Sequence, residues 1–268
     1  MLESISKLLA AGCFALLLVF VPASITPAAA AGPKVAVVAF GLFGDQSVFE
    51  SEAKGAAGIV ASRFRGASVV VRANTKSRSD ATAETLAATL DSVAKKLDTE
   101  NDILVLILTS HGSRAGLVVK AGTTEETLSP WLLSATLRYT GMRHRVVIIS
   151  ACYSGIFLPL ASADTLVITA ADADHPSFGC RDGAQWTYFG DAFFNTAMRR
   201  APNLRGAFDL ARELVRKREL GDGFDPSNPQ MAGGENIEPL LEAAAASPLP
   251  PAAGKRSGLI REFSTAGQ

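Results

Sequence analysis

Two residues carry side chains suited to acyl chemistry and stand at matching places. His111 closes the apolar run in "ILVLILTSHGSRAG" (103–116), and Cys152 closes the run in "RVVIISACYSG" (145–155). A thiolate is a strong nucleophile, and an imidazole beside it generates or stabilises that thiolate and later protonates a leaving amine. Gly112 lacks a β-carbon, so a substrate carbonyl oxygen can approach its N–H. With the N–H of Cys152 it would make an oxyanion hole, whose donors are each worth roughly 2.7–4 kcal/mol. Each residue alone has a plainer reading: His-Gly after a strand is common, and a small cysteine ending a core strand is often buried and inert. Their equivalent positions on separate strands are what couple them.

The remaining titratable residues are ranked by the same logic. Cys180 is the other cysteine downstream of the N-terminal segment, and in an oxidising compartment it could bridge to Cys152. A pocket-edge thiol is the preferred reading, because "SFGC" falls in the segment that should line the site. His175 reads as a loop residue, and His144, at the far end of its strand, as a solvated one. The three histidines lack metal-ligand spacing, so no metal is expected. "GLFGDQS" (41–47) lacks the lysine and spacing of a phosphate loop, and no cofactor is expected.

The elements that must position these residues follow from periodicity. Apolar runs at 34–40, 68–71, 103–108, 146–150 and 165–170 read as strands. Between and after them, 47–65, 80–97, 129–140, 187–199 and 204–220 carry apolar residues at helical steps. Leu86, Leu90, Val93 and Leu97 share one face, with Ser79 and Asp80 placed to cap the helix. Ser129 suits an N-cap and Pro130 the first helical position. Alternating strands and helices predict an α/β fold with a mostly parallel sheet covered on both faces. In such a sheet the site lies beyond the carboxyl ends of the strands, where His111 and Cys152 both project.

Composition sets the boundaries. Lys plus Arg and Asp plus Glu are 26 each, which gives no broad pull toward nucleic acid or anionic lipid. The run "RKR" (216–218) reads as a solvated helix face. Residues 1–31, with an apolar run from Leu8 to Val21 and Ala-x-Ala at Ala29–Ala31, read as a signal peptide. The run is shorter than the ~20 residues of a spanning helix, although an uncleaved anchor is the alternative. The mature chain is then exported, to a periplasmic or extracellular place. Residues 32–241 form the expected domain, and the Ala/Pro/Gly-rich 242–268 a flexible tail.

"TSHGSRAGLVV", followed about forty residues on by "VVIISACYSG" and then by "VITAADADHPSFGCRDGAQWTYFGDAFF" (167–194), resembles the legumain (asparaginyl endopeptidase) family of cysteine peptidases. The resemblance implies a three-layer caspase-like sandwich with a His111–Cys152 dyad. By position it sets Ser177 and Asp191 in the substrate pocket with Ser150, where typical legumains have glutamate. It sets Gln46 where the family has an asparagine that orients the histidine. The family's arginine-histidine pair is absent from "GDQSVFESEAK" (44–54). These departures keep the thiol chemistry and put strict asparagine specificity in question. Asp191 also has a reading as the cap of "DAFFNTAM".

The implied function is a cysteine endopeptidase acting on protein or peptide substrates, after Asn or Asp if the pocket holds. Two alternatives share the fold: a transamidase using the same dyad, and an inactive secreted binding module. An α/β-hydrolase esterase is disfavoured, since Ser150 stands where its elbow needs glycine and His175 follows too soon.

Overall fold

The computed structural model describes residues 32–246. The expected signal segment, and the tail from 247 onward, lie outside the described residues. In chain order the elements are β1 (Val35–Gly41), α1 (Ser47–Ser62), β2 (Ser68–Ala73), α2 (Ala83–Ala94) and β3 (Ile103–Thr109). Next come β4 (Gly112–Ser113), β5 (Gly116–Ala121), β6 (Thr124–Leu128), α3 (Pro130–Tyr139), β7 (His144–Ser150) and β8 (Thr165–Thr169). The last are α4 (Tyr188–Gly190), α5 (Leu204–Gly221), β9 (Gln230–Ala232) and α6 (Ile237–Ala246).

Six strands form the main sheet in the order β2-β1-β3-β7-β8-β9. All neighbours run parallel except the short edge strand β9. β1, β3 and β7 are buried along nearly their whole length, as continuous apolar runs require when helices cover both faces. Alternate residues feed two cores. Val37, Ala39, Val105, Ile107 and Ile148 pack with α1, α5 and α6; Val38, Phe40, Leu106, Leu108 and Ile149 pack with α2 and α3. The result is a three-layer α/β sandwich. The chain leaves β1 toward β2 and then crosses back to β3 on its other side. That reversal opens a crevice at the carboxyl ends of β1 and β3.

Local chemistry explains most element ends. Ser129 accepts from the N–H of Leu132, with Pro130 at the first helical position, as expected. α2 instead starts at Thr82, which forms a reciprocal capping box with Thr85 in place of the Ser79–Asp80 cap. The stretch 187–199 is not one α-helix. After the single turn of α4 it widens to a π-helix over Asp191–Thr196 and tightens to a 3-10 turn over Ala197–Arg199. The wider turn puts the adjacent Phe193 and Phe194 both in the core, where Phe193 stacks on Phe189 with centroids 5.3 Å apart. α6 runs to Ala246, so the first five residues of the expected tail are helical. No helix among the described residues is long and apolar enough to cross a membrane.

Candidate active site

The register of two neighbouring strands brings the chemistry together. Thr109, the last residue of β3, pairs with Ser150, the last of β7. Just beyond, the N–H of Ser110 donates to the Ser150 carbonyl at 3.2 Å. His111 and Cys152 therefore each stand two residues past one hydrogen-bonded step of the sheet. Gly112 closes the join, because any β-carbon there would overlap the carbonyl oxygen of Cys152. Its lack of a side chain is needed for this backbone approach, a different reason from the substrate clearance expected from sequence. The His111 carbonyl accepts from Val118 N–H at 2.9 Å, and Gly112 pairs with Leu117. Antiparallel alternation then makes Gly112–Leu117 a non-hydrogen-bonded pair, with the Gly112 N–H directed away from β5.

The imidazole of His111 is fixed on three sides. Phe43 and Phe49 meet it edge-on, with centroids 4.6 and 5.0 Å away. Its Nε2 lies 2.7 Å from Oε1 of Gln46. An amide oxygen only accepts, so this bond puts the ring proton on Nε2 and leaves Nδ1 a lone pair. Partial burial lowers the His111 pKa below its ordinary value. Gln46 occupies the N-cap position of α1, yet its side chain makes no cap bond and serves the histidine. Asp182 takes over the helix end by accepting from the N–H of Ser47 at 2.9 Å. That bond is the main cause that lowers the Asp182 carboxyl to about 2. It also ties the loop after β8 to the start of α1.

The Cys152 sulfur faces that same loop. It lies 3.3 Å from both the carbonyl and the N–H of Ser177, and 3.8 Å from its hydroxyl. Tyr153 takes a left-handed conformation, φ 55° and ψ 18°, which is uncommon for a large side chain. Its N–H donates to the carbonyl of His175 at 3.0 Å, which holds the turn. A 3-10 helix over Ser154–Leu160 then carries the chain away from the site.

Behind the strand ends that carry His111 and Cys152 lies a group that sequence reasoning missed. Glu52, fully buried on α1, accepts from the hydroxyl of Thr109 at 2.8 Å and from the N–H of Thr187 at 2.8 Å. Ser150, buried at 1 % exposure, shares a 3.2 Å hydroxyl pair with Thr187. Burial raises the Glu52 carboxyl above the usual range, while the hydroxyls of Ser150, Thr187 and Thr109 oppose that shift. A signal was present in the sequence, since Glu52 falls on the buried stripe Phe49–Ala53–Ala56 of α1. It pointed to a buried acid and not to its partners.

The other predicted residues divide. Asp191 is engaged by Asn195 Nδ2 at 2.8 Å and by Arg218 Nη1 at 3.2 Å. These partners lie on its own helical stretch and on α5. It is not the cap, because Thr187 accepts from Gly190 N–H and fills that role. His175 is a loop residue whose Nδ1 lies 2.7 Å from Asp172. His144 is buried and within 3.5 Å of Asp164, contrary to the expected solvation; β8 and its preceding turn cover that end of β7. Cys152 and Cys180 are both free thiols. Burial, then the charges of Cys152 and Glu52, push the Cys180 pKa up. Ser177, Cys180, Tyr188, Arg218 and Asp222 border a cleft of about 630 Å³ beside Cys152.

Residues 56–237 match the model of the peptidase C13 family. The matched span includes His111, Cys152 and Ser177, and begins past Gln46 and Glu52. No curated protein sequence matches the chain. Among solved structures it is similar to caspase-1 from Spodoptera frugiperda, at a TM-score of 0.54 and 15% identity. That likeness covers 75% of this chain and 86% of the other, and it concerns the fold.

Proposed function

The chain belongs to the peptidase C13 family and is a cysteine peptidase of caspase-like fold, and from that premise we propose that Cys152 is its nucleophile and His111 its general base and acid. The observation that carries this reading is the paired exit from β3 and β7. One register step, sealed by Gly112 on the Cys152 carbonyl, sets the two residues at the same edge.

The chemistry then proceeds in two acyl transfers. The Cys152 proton passes to Nδ1 of His111, whose Nε2–H stays on Gln46. The thiolate attacks the scissile carbonyl carbon, and the oxygen becomes an oxyanion facing the N–H groups of Gly112 and Cys152. Collapse breaks the C–N bond, and the imidazolium proton goes to the leaving amine. Water, deprotonated by His111, attacks the thioester, and the acid product leaves as the thiol reforms. Ser177, in contact with the sulfur, belongs to the pocket for the residue before the cleaved bond, while the buried Ser150 lies behind it on Thr187 and lines no open surface. Asp191 reaches that pocket only through Arg218, which lines the adjoining cleft. In this reading residues 1–31 direct export, and the mature enzyme starts near Gly32.

The test is turnover of a fluorogenic peptide panel varied at the residue before the scissile bond. Wild type, Cys152→Ala and His111→Ala are compared under reducing conditions, with an added amine to read out transfer. Loss of turnover in both variants is expected. Turnover that survives Cys152→Ala would sink the assignment.

A further inference from the structure

α1 carries a carboxyl where its buried stripe calls for an apolar side chain. Glu52 sits between core residues Phe49, Ala53 and Ala56 and is completely inaccessible. Among the described residues no Lys, Arg or His forms an ion pair with it. A buried ionisable group without a cation is costly unless hydrogen bonds satisfy it. The fold has also made room for it, because a β-carbon at Gly190 would overlap Oε2 of Glu52. A group kept at such cost, in a space another residue must vacate, invites the question of what it holds.

Its donors come from separate parts of the chain. Thr109 ends β3 and stands two residues before His111; its hydroxyl donates at 2.8 Å across 57 residues. Thr187 ends the loop after β8 that carries Ser177; its N–H donates at 2.8 Å across 135 residues. The Thr187 hydroxyl in turn meets Ser150, the end of β7, two residues before Cys152. A carboxylate is an acceptor with two oxygens and about four lone-pair sites, so one group can serve donors from several segments at once. We infer that Glu52 is a positioning residue: its carboxyl fastens the ends of β3 and β7 and the Ser177–Thr187 loop, and so sets His111, Cys152 and Ser177 relative to one another. It acts through the backbone of those segments and touches neither reacting side chain. The inference rests on the proposed dyad.

Ordinary core stabilisation is the competing account, and the test must separate the two. Glu52→Ala, Glu52→Gln and the single-arm cut Thr109→Val are made in the full chain. Fold is followed by near-ultraviolet circular dichroism. Two readouts are taken: kcat and KM on the best peptide of the panel, and the pH dependence of iodoacetamide alkylation at Cys152, located by peptide mass. Folded Glu52→Ala is expected to lose about 100-fold in kcat, the scale of a 1 Å misplacement, with KM changed by no more than about 3-fold. Its alkylation curve departs from the wild-type one, because the imidazole no longer meets the thiol in the same geometry. Glu52→Gln, which keeps one acceptor for Thr187, retains more than about a tenth of kcat, and Thr109→Val falls between the two.

A folded Glu52→Ala with wild-type kcat and an unmoved alkylation curve overturns the inference. So do losses in kcat that merely track the unfolded fraction. If Glu52→Ala does not fold, the other two variants decide, and wild-type behaviour in both counts against it. Wild-type protein that alkylates at Cys152 but cleaves no peptide refutes the peptidase reading instead. A variant-dependent alkylation curve would still support the positioning role in that case.

Discussion

Replacing Gln46 tests the dyad through its alkaline limb. The Nε2–Gln46 bond, 2.7 Å long, persists whether His111 is neutral or protonated. It is worth more to the charged ring, however: a neutral hydrogen bond contributes about 0.5–1.5 kcal/mol and one to an ion about 1.5–3. The difference is about 1–1.5 kcal/mol. Gln46→Ala therefore lowers the His111 pKa further in the direction burial already takes it. The thiolate–imidazolium form needs the ring protonated, so the descending limb of kcat/KM should move to lower pH. At the optimum kcat/KM should fall about tenfold, the equivalent of ~1.4 kcal/mol.

Gln46→Glu reverses the sign. A carboxylate in the same place favours the protonated ring, and the limb should move to higher pH. The assay is kcat/KM on one peptide from about pH 4 to pH 10 for the three proteins, with melting curves to define the folded range. Limbs that stay put in both variants, or that move in the same direction, would refute the link between Gln46 and His111.

Two other outcomes follow from the site's packing. Gly112→Ala forces a methyl group into the Cys152 carbonyl; it should cost about 1–3 kcal/mol in thermal unfolding and about 100-fold in turnover. Near-wild-type values of both would mean that the two loops are looser than the sheet register implies. Cys180→Ser should keep wild-type kcat, and in wild type the half-buried Cys180 thiol, pushed up in pKa, should alkylate more slowly than a free-solution thiol at pH 7; peptide mapping of a timed alkylation reads both sites.

The parts of the fold visible in the sequence are those written by continuous apolar runs. β1, β3, β7 and β8 fell where five- to seven-residue runs of Val, Ile and Leu predicted them. β6 was missed because "TEETL" pairs with β5 while exposing nearly every side chain, which leaves no apolar signal. β9 is three residues long and owes its existence to an available edge beside β8. The π turn escaped because local helical spacing cannot register one extra residue demanded by two adjacent core phenylalanines. In the site, the placement of His111 and Cys152 past neighbouring strands followed from strand ends alone, and Gln46 followed from the resemblance.

What stayed hidden depends on contacts between distant segments. Asp191 has the position of a pocket residue in the motif, but the π turn that holds it leaves its carboxylate on Asn195 and Arg218. Glu52 shows the complementary case: its place on the buried stripe was legible, while its partners lie 57 and 135 residues away. Motif residues fix which atoms react, and they lie close in sequence to the strand ends that aim them. The groups that hold those strand ends level with one another lie wherever the topology folds a side chain beneath them. In this chain that place is the second turn of α1, beneath the join of β3 and β7. A single acid there meets donors from both sides of the site, and only the folded chain brings those donors within its reach.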